Sequence, residues 1–168
     1  MAGKLYFIFK HAESPYVKYK ATAVWGIVQL IYEENASLTY ILDWQWYIDE
    51  IADWFKEKKK TLATDELNVL NFENKSIAEL RDMAIDREFF FDKKERDEYF
   101  EKVDKCFAPF GFHLRGTPTP VYYIGISNGN GEISYYNEEN NKYKSYVFDM
   151  NDFISTTENA LNIFFGNV

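Results

Sequence analysis

The sequence predicts an α+β fold in which helices pack on a largely antiparallel sheet. Strand-like runs lie at both ends of the chain, and the helical patterns are grouped between them. A length of 168 residues and a hydrophobic content of 46% are sufficient for one core. We therefore expect residues 1–168 to form a single α+β domain. An N-terminal strand and hairpin and a C-terminal three-stranded meander should be packed by about four helices.

The first strand is expected at residues 5–9, and residues 15–32 allow two interpretations. Ser14-Pro15 can begin a helix, because apolar side chains then recur at helical spacing. Residues 22–32 (TAVWGIVQLIY), however, are rich in β-branched and aromatic side chains, and a polar turn at 33–37 leads to a second β-like run at 38–41. The composition favours a hairpin, with the helix as the alternative.

The clearest helical pattern covers residues 43–60, where Asp43 is placed to cap the N-terminus and lysines 58–60 to close the C-terminal end. Its apolar residues form one stripe. The stripe consists of Trp44, Tyr47, Ile48, Ile51 and Phe55. Residues 61–75 are expected to be a loop with one short strand at 67–72.

Two further helices are expected in the middle of the chain. Residues 76–79 (SIAE) form a capping box, which predicts a helix that runs to about Asp86. Asp92 opens the next helix, which Pro109 and Gly111 end. Its core stripe consists of Tyr99, Phe100, Val103, Cys106 and Phe107.

After a connection that contains two prolines, three β runs predict the meander. They cover residues 121–127, 132–137 and 143–148, and the segments 128–131 (NGNG) and 138–141 supply the turns. Asp149 or Asn151 caps a last helix. The residues expected on its buried side are Phe153, Thr157, Ala160, Leu161 and Phe164.

The composition argues against most enzyme chemistry. Two histidines and one cysteine leave few groups for acid–base, thiol or zinc chemistry. The sequence contains no EF-hand loop, P-loop, GxGxxG or HExxH motif. Cys106 lies on an apolar stripe, where a free cysteine is usually a core residue, and we interpret His113 as structural. We expect a protein without catalytic activity, metal or cofactor.

The net charge of −8 disfavours nucleic acid as a partner, because phosphates repel such a surface. The negative excess lies in residues 61–168, since residues 1–60 are neutral in sum. No apolar run is long enough for a signal peptide or a membrane span. We therefore expect a cytoplasmic protein that does not bind membranes.

The leading candidate for a binding surface lies on the predicted helix 43–60. Helical geometry places Trp46 on the polar side, near Asp49 and Glu50, with Asp53 on the same side. Tryptophan is enriched at binding hot spots. The alternative is that the hairpin or a neighbouring loop covers the Trp46 ring.

Two other predicted surfaces carry acidic residues and are further candidates for binding a protein partner. One turn of the meander carries tyrosines and carboxylates, namely Tyr136, Glu138, Glu139 and Tyr143. One of Tyr135 and Tyr136 must then point into the core. The helix after Asp92 carries a secondary acidic face of Asp97, Glu98, Glu101 and Asp104. Pairs such as Glu101 with Lys105 make an ordinary solvated face the favoured interpretation.

Residues 22–55 (TAVWGIVQLIYEENASLTYILDWQWYIDEIADWF), in an acidic, aromatic-rich chain, are similar to openings of the immunity proteins of bacterial polymorphic-toxin and contact-dependent growth inhibition systems. The resemblance covers about a quarter of the chain, and no family site residues carry over. It implies a cytoplasmic inhibitor of a toxin encoded next to it, acting as a monomer that forms a 1:1 heterodimer. A nuclease toxin would present a basic cleft that an acidic, aromatic surface can cover. The alternative is a bacterial or phage accessory domain that binds a small molecule or another protein.

Overall fold

The computed structural model describes residues 2–15, 23–65, 75–86, 101 and 104–166. They contain one three-stranded and one four-stranded sheet, and the named pairings between strands are antiparallel. Together with the helices, these sheets confirm the α+β class. The chain divides into two compact units, residues 1–63 with 148–168, and residues 64–147. That both units belong to one cooperative domain stays a prediction of the sequence.

The sheet of the first unit has the order β1 (Lys4–His11), β2 (Trp25–Glu34) and β3 (Ser37–Tyr47). The hairpin interpretation of residues 22–41 is thus confirmed for its described part. Asn35 and Ala36 form a two-residue turn with φ of 50° and 63°, a geometry that matches the twist of antiparallel strands. Leu30 pairs with Leu42 and Ile31 with Tyr40, so Ile41 is an extra residue of β3 and forms a bulge that shifts the register.

The predicted start of the helix at Asp43 is wrong. Strand β3 continues to Tyr47, and α1 spans Ile48–Thr64. Pairing with β2 explains the difference, because Trp44 lies opposite Val28 in a register that the hairpin imposes, and aromatic side chains favour strands. Trp44 is consequently 38% exposed instead of buried in a helix stripe.

Tyr47 of the predicted stripe is likewise in β3 and is half-buried. The part of the stripe within α1 is correct, since Ile48, Ile51 and Phe55 are buried. The helix continues past residue 60 to Thr64, so lysines 58–60 do not close its C-terminal end. One of these lysines, Lys59, instead forms a 2.6 Å ion pair with Glu158 of the last helix.

The last helix, α3 (Met150–Gly166), completes the core of the first unit. Its rings pack on β1, where the centroids of Phe7 and Phe153 are 5.9 Å apart and those of Phe9 and Phe164 are 6.1 Å apart. Asp149 is the N-cap, because its Oδ1 accepts the backbone N–H of residue 152 at 3.0 Å. The predicted buried side is confirmed except for Ala160, which is half-buried.

The second unit combines α2 (Ile77–Asp86) with strands β4 (Gly111–Phe112), β5 (Tyr122–Ser127), β6 (Asn130–Asn137) and β7 (Lys142–Phe148). The sheet order β4-β5-β6-β7 confirms the meander and adds β4, which was not predicted. The predicted cap at Ser76 is confirmed, since Glu79 N–H donates to Ser76 Oγ at 3.2 Å, while the Glu79 carboxylate accepts the ammonium of Lys75. Phe148, the last residue of β7, belongs to the first unit, where it bridges Gly3.

Two predicted elements lie outside the described residues, the strand at 67–72 and most of the helix opened by Asp92. Residues 101 and 104–107 of that helix are described and are helical. A 3₁₀ turn, Ala108–Phe110, follows them and leads into β4.

Candidate protein-binding surfaces

Trp46 lies at the junction between β3 and α1. It pairs with Gly26 across the strands and shares a sheet face with Trp44, because side chains alternate along a strand. Its indole Nε1–H donates to Glu50 Oε2 at 3.2 Å. The predicted proximity of Trp46 and Glu50 is therefore confirmed, although a strand-to-helix junction and not a helix turn produces it.

An aromatic cluster supports the Trp46 ring. Its centroid lies 6.4 Å from that of Trp25 and 5.7 Å from that of Tyr47, and the Trp25 and Tyr47 rings meet edge to face at 4.9 Å. The hairpin thus contacts Trp46 through Trp25, and the Trp46 side chain remains half-exposed. A ring that is held in place and partly exposed loses little entropy when a partner packs on it.

The predicted acidic residues around Trp46 have different environments. Asp49 is half-buried, and its Oδ1 accepts the Val24 N–H at 3.0 Å, so this carboxylate ties α1 to the start of β2. Glu50 and Asp53 are exposed and lie one turn apart on α1. Trp44, Trp46, Glu50 and Asp53 form what we call the junction patch.

The tyrosines predicted at the meander turn come together in the second unit. Tyr135 is buried and Tyr136 is exposed, which confirms that only one of them points outward. The Tyr136 and Tyr143 rings are 5.1 Å apart. Glu138 and Glu139 are exposed in the turn that connects the two strands. The structure therefore brings Tyr136 and Tyr143 together, and the two glutamates follow Tyr136 in the adjoining turn.

Sequence reasoning missed Asp82, which completes this surface. The Tyr143 hydroxyl donates to Asp82 Oδ2 at 2.9 Å. Partial burial and then the Asp82 carboxylate raise the pKa of Tyr143, because both disfavour the phenolate. Position 82 is three residues after Glu79, so the sequence does place the two on one helix face. It contains no signal that brings that face to β7.

The secondary acidic face is only partly described, because Asp97 and Glu98 lie outside the described residues. The Lys105 ammonium donates to Glu101 at 2.7 Å, and this hydrogen bond and the lysine charge lower the pKa of Glu101. This i,i+4 pair is typical of an ordinary solvated face, as the sequence indicated. Asp104 is exposed and borders a cavity of about 180 Å³ that Arg81 and Tyr123 also line.

A larger cavity of about 300 Å³ lies within the second unit. Seven residues line it, namely Lys75, Ser76, Glu79, Asn128, Glu132, Tyr143 and Ser145. Glu132 is 7% exposed and accepts the Ile77 N–H at 2.7 Å. Burial raises the pKa of Glu132, against the lowering effect of the Ile77 N–H and of hydroxyls from Ser134 and Ser127. The sequence predicted position 132 only as the start of a strand.

The cysteine of the chain is half-buried and both histidines are exposed. Cys106 packs against a core cluster that contains Phe107, and burial raises the pKa of its thiol, which disfavours the reactive thiolate. His11 is exposed and stacks on Phe164 with ring centroids 4.2 Å apart, and His113 is exposed after β4. Among the described residues, no group of three or more His, Cys, Asp or Glu is arranged to hold a metal ion.

No helix in the described part of the chain is both long and apolar enough to cross a membrane. Comparisons with protein-family models, curated proteins and solved structures find no match to this chain.

Proposed function

We propose that this protein is a non-catalytic cytoplasmic inhibitor that binds and neutralises a basic toxin encoded next to it. The toxin class that best fits is a nuclease, because its substrate cleft must be basic. The inhibitor would cover that cleft with carboxylates in the place of substrate phosphates, while aromatic side chains slow dissociation. The complex would be a 1:1 heterodimer without nucleic acid or membrane.

The observation that carries the proposal is the Trp46–Glu50 pair of the junction patch. A half-exposed tryptophan, buttressed by Trp25 and Tyr47 and bonded to a carboxylate, combines an apolar anchor with negative charge at one point. Trp44 and Asp53 extend the patch on either side. The net charge of −8 adds long-range attraction for a basic partner.

The test is to co-express the chain with the polypeptide encoded immediately upstream and to measure binding by calorimetry at several salt concentrations. We expect nanomolar, salt-sensitive binding and rescue of cells from the toxicity of the neighbour. Trp46→Ala should weaken binding by about 2 kcal/mol, or about thirtyfold. Glu50→Gln should mainly slow association at low salt.

Tyr40→Ala is the matched control, because Tyr40 lies on the same strand and is 56% exposed. It pairs with Ile31 beyond the bulge and so points to the opposite face from Trp46. Equal losses for both variants would contradict the assignment to the junction patch. A neighbour that neither binds nor is toxic would contradict the toxin hypothesis itself.

A small-molecule-binding accessory domain is the second candidate function. The 180 Å³ cavity supports it, since Ile85, Phe107 and Val121 give it an apolar part beside Arg81. We rank it second because ligand pockets usually exceed about 300 Å³. Thermal stabilisation by members of a metabolite library, with loss of the effect in Val121→Trp, would favour this function.

A further inference from the structure

The strands of the first unit carry apolar residues on both faces of their sheet. Strand β2 contains the nearly continuous apolar run WGIVQLIY, and β1 contains the run LYFIF. An antiparallel sheet with one solvated face alternates apolar and polar residues, whereas continuous apolar runs are typical of strands that are covered on both faces. The composition of β1 and β2 therefore indicates that each face of this sheet is covered.

Helices cover one face, which we call the inner face. Phe153 of α3 packs on Phe7 of β1, with 5.9 Å between the ring centroids. Ile48 of α1 lies over Gly26 of β2, where an added Cβ would be 2.8 Å from the Ile48 Cγ1 atom. Phe7 pairs with Leu30, which is four residues from Gly26, so both contacts are on the same face. Helices α1 and α3 thus lie on the inner face.

The opposite face, which we call the outer face, is largely apolar and open to solvent. Residues that pair across strands point to the same side of a sheet. The register therefore places six apolar or aromatic side chains on the outer face, namely Tyr6, Ile8, Ile27, Ile31, Leu38 and Tyr40. Leu38 is 50% and Tyr40 is 56% exposed, so the face is open along β3.

Two tyrosines flank the centre of the outer face. Tyr6 and Tyr40 are the cross-strand neighbours of Ile31, which explains why Ile31 is buried on an open face. Burial, the Glu33 carboxylate and Tyr40 raise the pKa of Tyr6, which agrees with a position of these side chains on one face. The outer face thus has an aromatic and aliphatic centre of the kind found in protein interfaces.

The charged residues of the outer face have opposite signs at its two edges. Lys4 and Lys10 lie on β1, and Asp43 lies on β3. All three are exposed, and the ion pairs within the described residues involve none of them. With Glu33 on β2, two positive and two negative charges give this face a net charge of zero. A strongly basic partner therefore has no electrostatic reason to prefer it.

This arrangement of charges is complementary to itself. A two-fold axis parallel to the strands places β2 over β2 of a second copy and β1 over its β3. Lys10 then faces Gln45 of the second copy, about 7 Å along the strand from Asp43 and within reach of that carboxylate. A two-fold axis perpendicular to the strands would place β1 over β1 and β3 over β3, so that like charges meet.

We propose that the outer face joins two copies of this chain in a dimer in which their three-stranded sheets pack face to face. Such sheets lie about 10 Å apart with interdigitating side chains. Ile27 and Ile31 meet their counterparts near the axis, and Tyr6 meets Tyr40 of the second copy. The lysines and Asp43 form the polar rim. Because the face is only three strands wide, we expect a weak dimer with a dissociation constant of about 10 µM.

This inference goes beyond the proposed function and does not depend on it. Trp46 pairs with Gly26 and so points to the inner face, which leaves the junction patch uncovered in the dimer. At about 1 µM the chain is mostly monomeric by mass action, so a heterodimer with a toxin can form as proposed.

Sedimentation velocity of the full chain at about 1–200 µM tests the dimer. We expect the weight-average sedimentation coefficient to rise from the monomer value to the dimer value with a midpoint near about 10 µM. Tyr40→Ala should weaken dimerisation about a hundredfold, because the symmetric interface contains the residue twice and each truncation costs about tenfold. The matched control is Tyr136→Ala, at a tyrosine of the second unit that is 37% exposed, which should change the dissociation constant less than about twofold.

An exchange of charges tests the orientation of the two copies. Lys10→Glu and Asp43→Lys should each weaken dimerisation about tenfold, because each places like charges across the interface. The double variant should recover most of the lost affinity, since it restores opposite signs at the facing edges. These exposed positions keep the test decisive should Tyr40→Ala fail to fold.

A chain that remains monomeric at about 200 µM overturns the inference. Equal losses for Tyr40→Ala and Tyr136→Ala, or a double variant weaker than both single variants, also overturn it. A monomeric chain whose affinity for the toxin falls in Tyr40→Ala would assign the outer face to the toxin instead. A chain that dimerises in this way but binds no toxin retains the inference and contradicts the proposed function alone.

Discussion

Replacement of Gly125 by alanine should destabilise the second unit, because a side chain at this position has no room. An added Cβ would lie 2.2 Å from Phe110 Cδ1, 2.7 Å from Cε1 and 3.2 Å from Cγ. Phe110 is 4% exposed and belongs to the core cluster around α2, together with Ile77, Leu80 and Phe107. Its ring therefore cannot move aside without disturbing several buried neighbours.

The magnitude follows from two opposing effects. Overpacking by one carbon in a well-packed core costs about 1–3 kcal/mol, and a contact of 2.2 Å belongs at the upper end of that range. The lower entropy of the unfolded chain offsets about 0.4–1 kcal/mol of this cost. We expect the free energy of unfolding to fall by about 2 kcal/mol.

Urea denaturation followed by far-UV circular dichroism measures this change, and a loss of about 2 kcal/mol lowers the midpoint by about 1 M. Gly111→Ala is the matched control, because its Cβ would meet only Ala108 O, at 3.6 Å, with an ordinary φ of −71°. It should change stability by less than about 0.5 kcal/mol. Phe110→Leu should recover part of the loss in the Gly125→Ala background. Equal stability of the two alanine variants would refute the packing argument.

Four further predictions concern the cap, the junction, the buried carboxylate and the domain. Asp49→Ala should lower the free energy of unfolding, measured in urea, by about 1–2 kcal/mol, because it removes the acceptor of the Val24 N–H. The control variant Asp53→Ala should lower it by less than about 0.5 kcal/mol. Asp149→Ala should cost about 1 kcal/mol in the same assay, because it removes the N-cap of α3; no loss would contradict the cap. Glu132 has a pKa raised above its ordinary 4.5 in the folded protein, so wild-type stability should fall, relative to Glu132→Gln, as pH rises from about 4.5 through that raised pKa. A stability difference that is constant between pH 4 and pH 8 would contradict the burial of an ionisable group there. All four tryptophans lie at positions 25–54 of the first unit, so in a single domain Gly125→Ala should shift the tryptophan fluorescence transition as much as the dichroism transition. Separate transitions would show that the units unfold independently.

Elements with a local cause were predicted well. The Ser76 cap of α2, the Asp149 cap and the Asn128-Gly129 turn each depend on hydrogen bonds or φ angles within a few residues. The hairpin also followed from local composition. Such features are readable because the sequence contains both partners of each interaction.

The start of α1 was missed for a non-local reason. Residues 43–47 fit a helical stripe, yet they pair with residues 25–29 of β2, and this pairing decides their conformation. The sequence therefore identified Trp46 and Glu50 as neighbours but gave the wrong backbone between them. The same junction brings Asp49, a residue predicted at the partner surface, to the Val24 N–H, whose hydrogen bond it accepts.

The sequence by itself determined the α+β class, the acidic charge and the scarcity of histidine and cysteine. It also required one of Tyr135 and Tyr136 to point outward, and the structure shows that this is Tyr136. Only the tertiary structure decided which carboxylates are exposed to solvent and which accept hydrogen bonds from other parts of the protein. Asp49, Asp82 and Glu132 find their partners 25 to 61 residues away along the chain. Such contacts depend on how strands and helices pack. The residue type alone does not show whether a carboxylate lies on a solvated face, at a junction or in a buried position.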